Sequence, residues 1–127
     1  MTPKENALNW FEISVKDIKR ASKFYETIFG IKLQTSDMMG MQMASFPYED
    51  MNGKVSGALV QSPHHVPSAE GAVIYLNGNP DLSGALGKVE AAGGKVVMPK
   101  TAITPEIGFM AFFIDTEGNR VGLHSNK

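Results

Sequence analysis

One run of signals occurs twice in this chain. Residues 10–30, WFEISVKDIKRASKFYETIFG, read as strand, turn, helix and stop. Residues 73–94, VIYLNGNPDLSGALGKVEAAGG, return to the same order. Residues 17–30 and 81–94 align with equal spacing, from an aspartate to a glycine. A repeat of this kind constrains the fold more than any single element. Each copy is a unit whose sheet has one face covered by its helix and one left bare, and a second copy is the economical cover.

Residues 8–15 alternate, with Phe11, Ile13 and Val15 on one face and Trp10, Glu12 and Ser14 on the other. Asp17 is placed to cap a helix, and Ile18, Ala21, Phe24, Tyr25 and Ile28 recur at helical spacing as its buried stripe. Gly30 supplies the left-handed stop. A short strand over 31–35, a loop over 36–40, a strand over 41–46, a turn containing Asn52 and Gly53, and a strand over 55–61 complete the first half. Met38, Met39, Met41 and Met43 read as edge strand and core filler. Residues 62–71 carry Pro63 and Pro67 and read as a linker.

The second half repeats the plan. A strand over 72–77 precedes Asn79, Pro80 and Asp81, which suit a helix start. Leu82, Ala85, Leu86, Val89 and Ala92 form a second stripe, which Gly84 and Gly87 weaken. Strands over 95–98, 109–114 and 120–124 follow, the last two joined by the turn DTEGN. Met43-Ala44-Ser45-Phe46 matches Met110-Ala111-Phe112-Phe113, and Val55-Ser56-Gly57 matches Arg120-Val121-Gly122. The expected fold class is therefore α+β. Two tandem βαβββ modules, about 8–62 and 72–125, form a curved, cupped mixed sheet with helices outside.

At 127 residues the chain reads as one domain with a real core. A net charge of -1 without a basic run argues against nucleic acid and anionic membrane as partners. The absence of cysteine removes disulfides, thiolate metal sites and a cysteine nucleophile. The N-terminus lacks the apolar stretch of a signal peptide, so a soluble cytoplasmic protein is the expectation. No Gly-x-Ser-x-Gly elbow, P-loop or dinucleotide fingerprint occurs.

The pattern resembles the vicinal oxygen chelate superfamily of glyoxalases, bleomycin resistance proteins and extradiol dioxygenases. The residues that carry the resemblance are FEISVKDIKRASKFYETIFG, VEAAGGKVVMPK and GFMAFFIDTEGNRVGLHS. It implies paired βαβββ modules, a homodimer, and a cup that takes a small molecule. In the enzymes it implies a divalent metal (Ni, Zn, Mn or Fe) held by four cup-facing His, Gln or Glu side chains. Those positions fall here on Trp10, on Val73 or Ile74, on Gly57 and on Gly122. None has a metal-binding side chain, so no metal or other cofactor is expected.

Other residues can carry chemistry or contacts. Glu12 shares a strand face with Trp10 and is a candidate acid or base. His124 lies two residues past Gly122 and is a second candidate. Trp10 offers a stacking surface, and Ser14, Gly57, Gln61, Val73, Tyr75 and Gly122 are expected to line the ligand site, with the glycines leaving room. His64 and His65 sit in the proline-bounded linker and are expected to be solvated, and the resemblance implies that this linker need not touch the cup. Asp115 and Glu117 are read as turn residues. Three functions follow. The first is metal-independent binding of a small, partly apolar molecule. The second is a metal-dependent glyoxalase or dioxygenase using Glu12, His124 and His64 or His65. The third is a non-catalytic dimeric interaction module.

Overall fold

The computed structural model describes residues 1–49 and 53–127. The expected turn at Asn52 and Gly53 lies in part outside the described residues. The elements are β1 (Trp10–Ser14), α1 (Ile18–Phe29), β2 (Gln34–Met38), β3 (Met41–Ser45), β4 (Ser56–Gln61), β5 (Tyr75–Asn77), α2 (Ser83–Leu86), β6 (Lys95–Thr104), β7 (Gly108–Ile114) and β8 (Arg120–Ser125). They form two four-stranded sheets, ordered β1-β4-β3-β2 and β5-β8-β7-β6. In each sheet the first strand pairs in parallel with the last, and the other pairs are antiparallel. The order is the α+β, twice-βαβββ plan that the repeat predicts.

The first helix forms as its sequence dictates. The Asp17 side chain accepts hydrogen bonds from the Lys19 and Arg20 amides at its N-terminus. Gly30, at φ 64°, ends it in the left-handed conformation. Its stripe of Ala21, Phe24, Tyr25 and Ile28 is at most 1% exposed. Burial of each large apolar side chain contributes roughly 1.5–3 kcal/mol. The stripe joins Ile13, Val15, Leu59, Leu76, Leu82, Val89, Phe113 and Leu123 in one core that draws on both halves. That core fills the helix side of both sheets.

Three local expectations are corrected. The strand expected over 31–35 begins later and continues through the expected loop, as β2 at Gln34–Met38. The cause is a tight hairpin in which Met38 pairs with Met41 across Met39 and Gly40. Both turn residues have positive φ, 52° and 77°, which matches the twist of the flanking strands. The second helix is regular only over Ser83–Leu86 and continues as turns. Gly84 and Gly87 favour that loosening, yet Leu82, Ala85 and Val89 remain buried, so packing rather than helical regularity holds the segment. The strand expected over 95–98 extends to Thr104, with register shifts on either side of Pro99. Proline is tolerated there because β6 is an edge strand.

The turn between β7 and β8 does more than reverse the chain. The Glu117 carboxylate accepts from the backbone amides of Lys16 and Asp17, each at 2.9 Å. The Arg20 guanidinium donates to both of its oxygens, at 2.7 and 2.9 Å. Asp115 accepts from the Tyr25 hydroxyl at 2.7 Å, and the Asn119 amide donates to the Ser14 carbonyl at 2.7 Å. Burial pushes the Glu117 carboxyl up. The donors Arg20, Asp17 N–H, Thr116 and Lys16 N–H outweigh it and bring the group down to about 2. Burial, with Asp115 beside it, pushes the Tyr25 phenol well above its ordinary value.

The sign of the pH effect follows. A folded-state value below the ordinary 4.5 means that the Glu117 contribution to stability is complete above 4.5 and is lost as the pH falls towards about 2. Urea melts of the wild type should therefore show a midpoint that drops across that window. Glu117→Gln should lower the midpoint at neutral pH and flatten the drop. An unchanged slope in the variant would show that other carboxylates carry it.

Candidate functional site

The faces of the sheets opposite the core carry the candidate site. On β1 the alternation holds. Phe11, Ile13 and Val15 face the helix side, and Trp10, Glu12 and Ser14 face the cup. Their partners on β4 are Ser56, Ala58 and Val60. Ala58 and Val60 pack with Met43 and Met41 in a small separate cluster. Trp10 is 38% exposed, with its ring edge-on to Tyr48 at 6.1 Å. On the second sheet Phe112 is the floor, covered by Tyr75 at 5.5 Å and by the Arg120 guanidinium at 4.2 Å. Tyr75 itself is 50% exposed.

Gly57 and Gln61 are not on the cup face. Gly57 pairs with Phe11 on the helix side, and a side chain there would collide with the Phe11 carbonyl and ring. The Gln61 side chain accepts from the Ile18 amide at 2.8 Å and so serves the start of α1. The expected equivalence of Gly57 and Gly122 was off by one residue. Ser45 pairs with Ala58 and Phe112 pairs with Gly122, so Ala58 is the counterpart of Gly122. A one-residue slip moves every side chain of a strand to the other face. The expected room at the glycines is also filled. Phe11 lies over Gly57, and the Tyr75 ring lies over Gly122, 2.6 Å from where a Cβ would stand.

The remaining candidates fall as follows. Val73 is exposed just ahead of β5, whereas Ile74 packs on the core and its carbonyl accepts from the Gly122 amide. His124 donates from Nε2 to the Ile107 carbonyl at 2.7 Å. No hydrogen bond among the described residues joins it to Glu12. Glu12 has a different partner, His65, whose Nε2 lies 2.9 Å from Oε1. His65 Nδ1 lies 2.7 Å from the Ser62 hydroxyl. The expectation of a solvated His65 is therefore corrected, because its ring is held between Glu12 and Ser62. Proline-bounded as it is, the linker runs back over the end of β1. Sequence spacing gave no signal for this, because the contact spans 53 residues.

The linker also roofs part of the cup. A cleft of about 170 Å³ lies between Glu12 and Ser14 on one side and Arg120 on the other, with Val66, Ser68 and Glu70 above. The Ser68 amide donates to the Asn119 side chain at 2.9 Å, which ties the roof down. A larger, more apolar groove of about 780 Å³ opens where β5 passes the start of β1, lined by Leu8, Phe11, Phe29, Phe46, Val73 and Tyr75. A third cleft of about 450 Å³ lies beyond the end of β1, beside Lys16, Gln61, Ser62 and His65. Among the described residues no three of His, Cys, Asp and Glu converge to hold a metal ion.

The sequence model of the Glyoxalase/Bleomycin resistance protein/Dioxygenase superfamily matches residues 7–123, and the chain belongs to that superfamily. A glyoxylase-like domain-containing protein of Didymella fabae is 31% identical over 117 residues, 88% of each chain. The fold is shared with glyoxalase I from Zea mays, at 21% identity and a TM-score of 0.66 over 94% of this chain. This chain spans 46% of that enzyme. It is shared also with TnmS3, an antibiotic binding protein from Streptomyces sp. CB03234, at 21% identity and a TM-score of 0.65, over 99% of this chain and all of that one.

Metal is common in the superfamily, but the residues here do not fit it. The cup positions that would supply ligands hold Trp10, Ala58, Val73 and Gly122, and none has a nitrogen or oxygen donor suited to a cation. The two glycines differ in what they tolerate. Gly57→Ala drives a methyl against backbone and should cost about 1–3 kcal/mol. Gly122→Ala meets a half-exposed tyrosine ring that can swing away and should cost less. Equal losses in denaturant melts would mean that Tyr75 is as fixed as the Phe11 backbone.

Proposed function

We propose that this chain binds a small, partly apolar molecule in its cup, without the superfamily's metal. One observation carries the reading. Where the fold would place metal ligands, the cup presents part-exposed aromatic rings, Trp10 on one sheet and Tyr75 over Phe112 on the other. Flat apolar surface with a few polar groups around it, here Glu12, Ser14 and Arg120, is the ordinary make-up of a small-molecule site. The antibiotic binding protein with this fold supports the reading, since it is a binder by its own description. The modules, about 8–62 and 72–125, act in this proposal as one binding unit, and the protein works as a homodimer.

Trp10 is the single tryptophan of the chain, which makes the site its own reporter. A panel of aromatic metabolites and antibiotics, titrated against intrinsic fluorescence, should contain compounds that change the Trp10 emission saturably. Trp10→Ala should weaken those compounds, by calorimetry, by about tenfold or more, the loss of a stacking partner worth ~1–2 kcal/mol. An unchanged affinity in the variant would remove Trp10 from the site.

A further inference from the structure

We propose that Ser62, His65 and Glu12 form a nucleophilic relay, and that the chain transfers the acyl group of a small activated ester or thioester to Ser62 and then to water. The acyl transfer takes place in the cleft of about 450 Å³ beyond the end of β1, and the relay shares one residue, Glu12, with the proposed cup site.

In the neutral His65 tautomer that pairs Nε2–H with an ionised Glu12, the hydrogen bonds give the relay its direction. The Glu12 carboxylate can only accept, so Nε2 of His65 carries its proton and donates across 2.9 Å. Nδ1 is then bare, and the Ser62 hydroxyl donates to it across 2.7 Å. The His64 amide donates to Ser62 Oγ at 3.1 Å, which orients the hydroxyl and leaves one lone pair for attack. Nucleophile, base and orienting carboxylate are thus in the order of a hydrolytic triad, with the two ring nitrogens exchanged. Ser62 and His65 both line the cleft, where a substrate can reach them. Gln61 lines it as well. Its Oε1 is held by the Ile18 amide at 2.8 Å, which leaves its Nε2, with the Lys16 ammonium of the same cleft, as the donors for a developing oxyanion.

The chemistry balances without a metal or redox partner. Ser62 Oγ bonds to the carbonyl carbon as its proton passes to Nδ1. The tetrahedral adduct collapses, the bond to the leaving alkoxide or thiolate breaks, and that group takes the proton from Nδ1. Water then attacks the acylated Ser62 and gives a proton to Nδ1. That proton returns to Oγ as the carboxylic acid departs. The competing reading is a turn brace, since the His65 amide also donates to the Ser62 carbonyl at 3.2 Å.

The full chain, with chelator present, would be treated with a fluorophosphonate and mapped by mass spectrometry, and 4-nitrophenyl acetate hydrolysis followed in parallel. Label on Ser62, lost in Ser62→Ala with a fall in turnover of ~100-fold or more, is the expected result. Glu12→Gln should lower kcat about tenfold with little change in KM and shift the acid limb of the pH profile, which a brace would not do. Ser62→Cys gives the chain its one thiol and guards against misfolding of the alanine variant. Its alkylation at pH 6 should be about tenfold faster than in the same variant carrying His65→Gln. An unlabelled Ser62, hydrolysis unchanged in Ser62→Ala, or equal alkylation rates would overturn the relay.

Discussion

The buried carboxylate of Glu117 holds the two halves of this molecule in register. It takes two backbone amides at the entrance to α1 and the Nε and Nη2 donors of Arg20. It thereby satisfies N–H groups that a helix start leaves without partners. Asn119 and Asp115, from the same turn, fasten the end of β1 and the middle of α1. The position of β1 relative to β8 is thus set by a polar clamp at one end and by the shared apolar core beneath. The small cleft between Glu12, Ser14 and Arg120 exists because that clamp brings two strands close that share no ladder. At the other end β5 passes the start of β1 without such a clamp, and there the broad apolar groove opens.

The superfamily's architecture is intact, down to the parallel first and last strands of each module. What differs is side chains of the inner face. A tryptophan, an alanine, a valine and a glycine leave no donor set, and the space over the glycine is taken by Tyr75. The polar groups that remain are used locally. Glu12 is engaged by His65, and the Arg120 guanidinium sits over the Phe112 ring. The face that results is aromatic with a charged margin, a surface that suits adsorption of a flat molecule better than coordination of an ion.

Much of the fold was legible because it rests on local signals. Asp17 and Gly30 announce the limits of α1, and the core stripe of that helix follows from spacing alone. The repeat then gives the topology. The site was less legible for reasons that particular residues make clear. The face of β4 depends on register, and an alignment one residue out put Gly57 and Gln61 in the cup when Ala58 and Val60 are the residues that face it. Unbroken alternation along β1, β5 and β8 puts Trp10, Glu12, Ser14, Tyr75 and Gly122 on the face away from the core. His65 was misread because a loop carries no period, and its partner Glu12 is far away in sequence. Glu117 was read as a turn residue, and its second role depends on a contact about 100 residues away, with Lys16, Asp17 and Arg20.

The claim on which this account turns is that the cup has no place for the superfamily's metal and takes an organic molecule instead. Its most direct test is the metal content of untagged protein by elemental analysis, followed by calorimetric titration with nickel, zinc and manganese. The account predicts neither stoichiometric metal as purified nor saturable binding on titration. One tightly bound ion per chain, released by chelator and restored on titration, would contradict it.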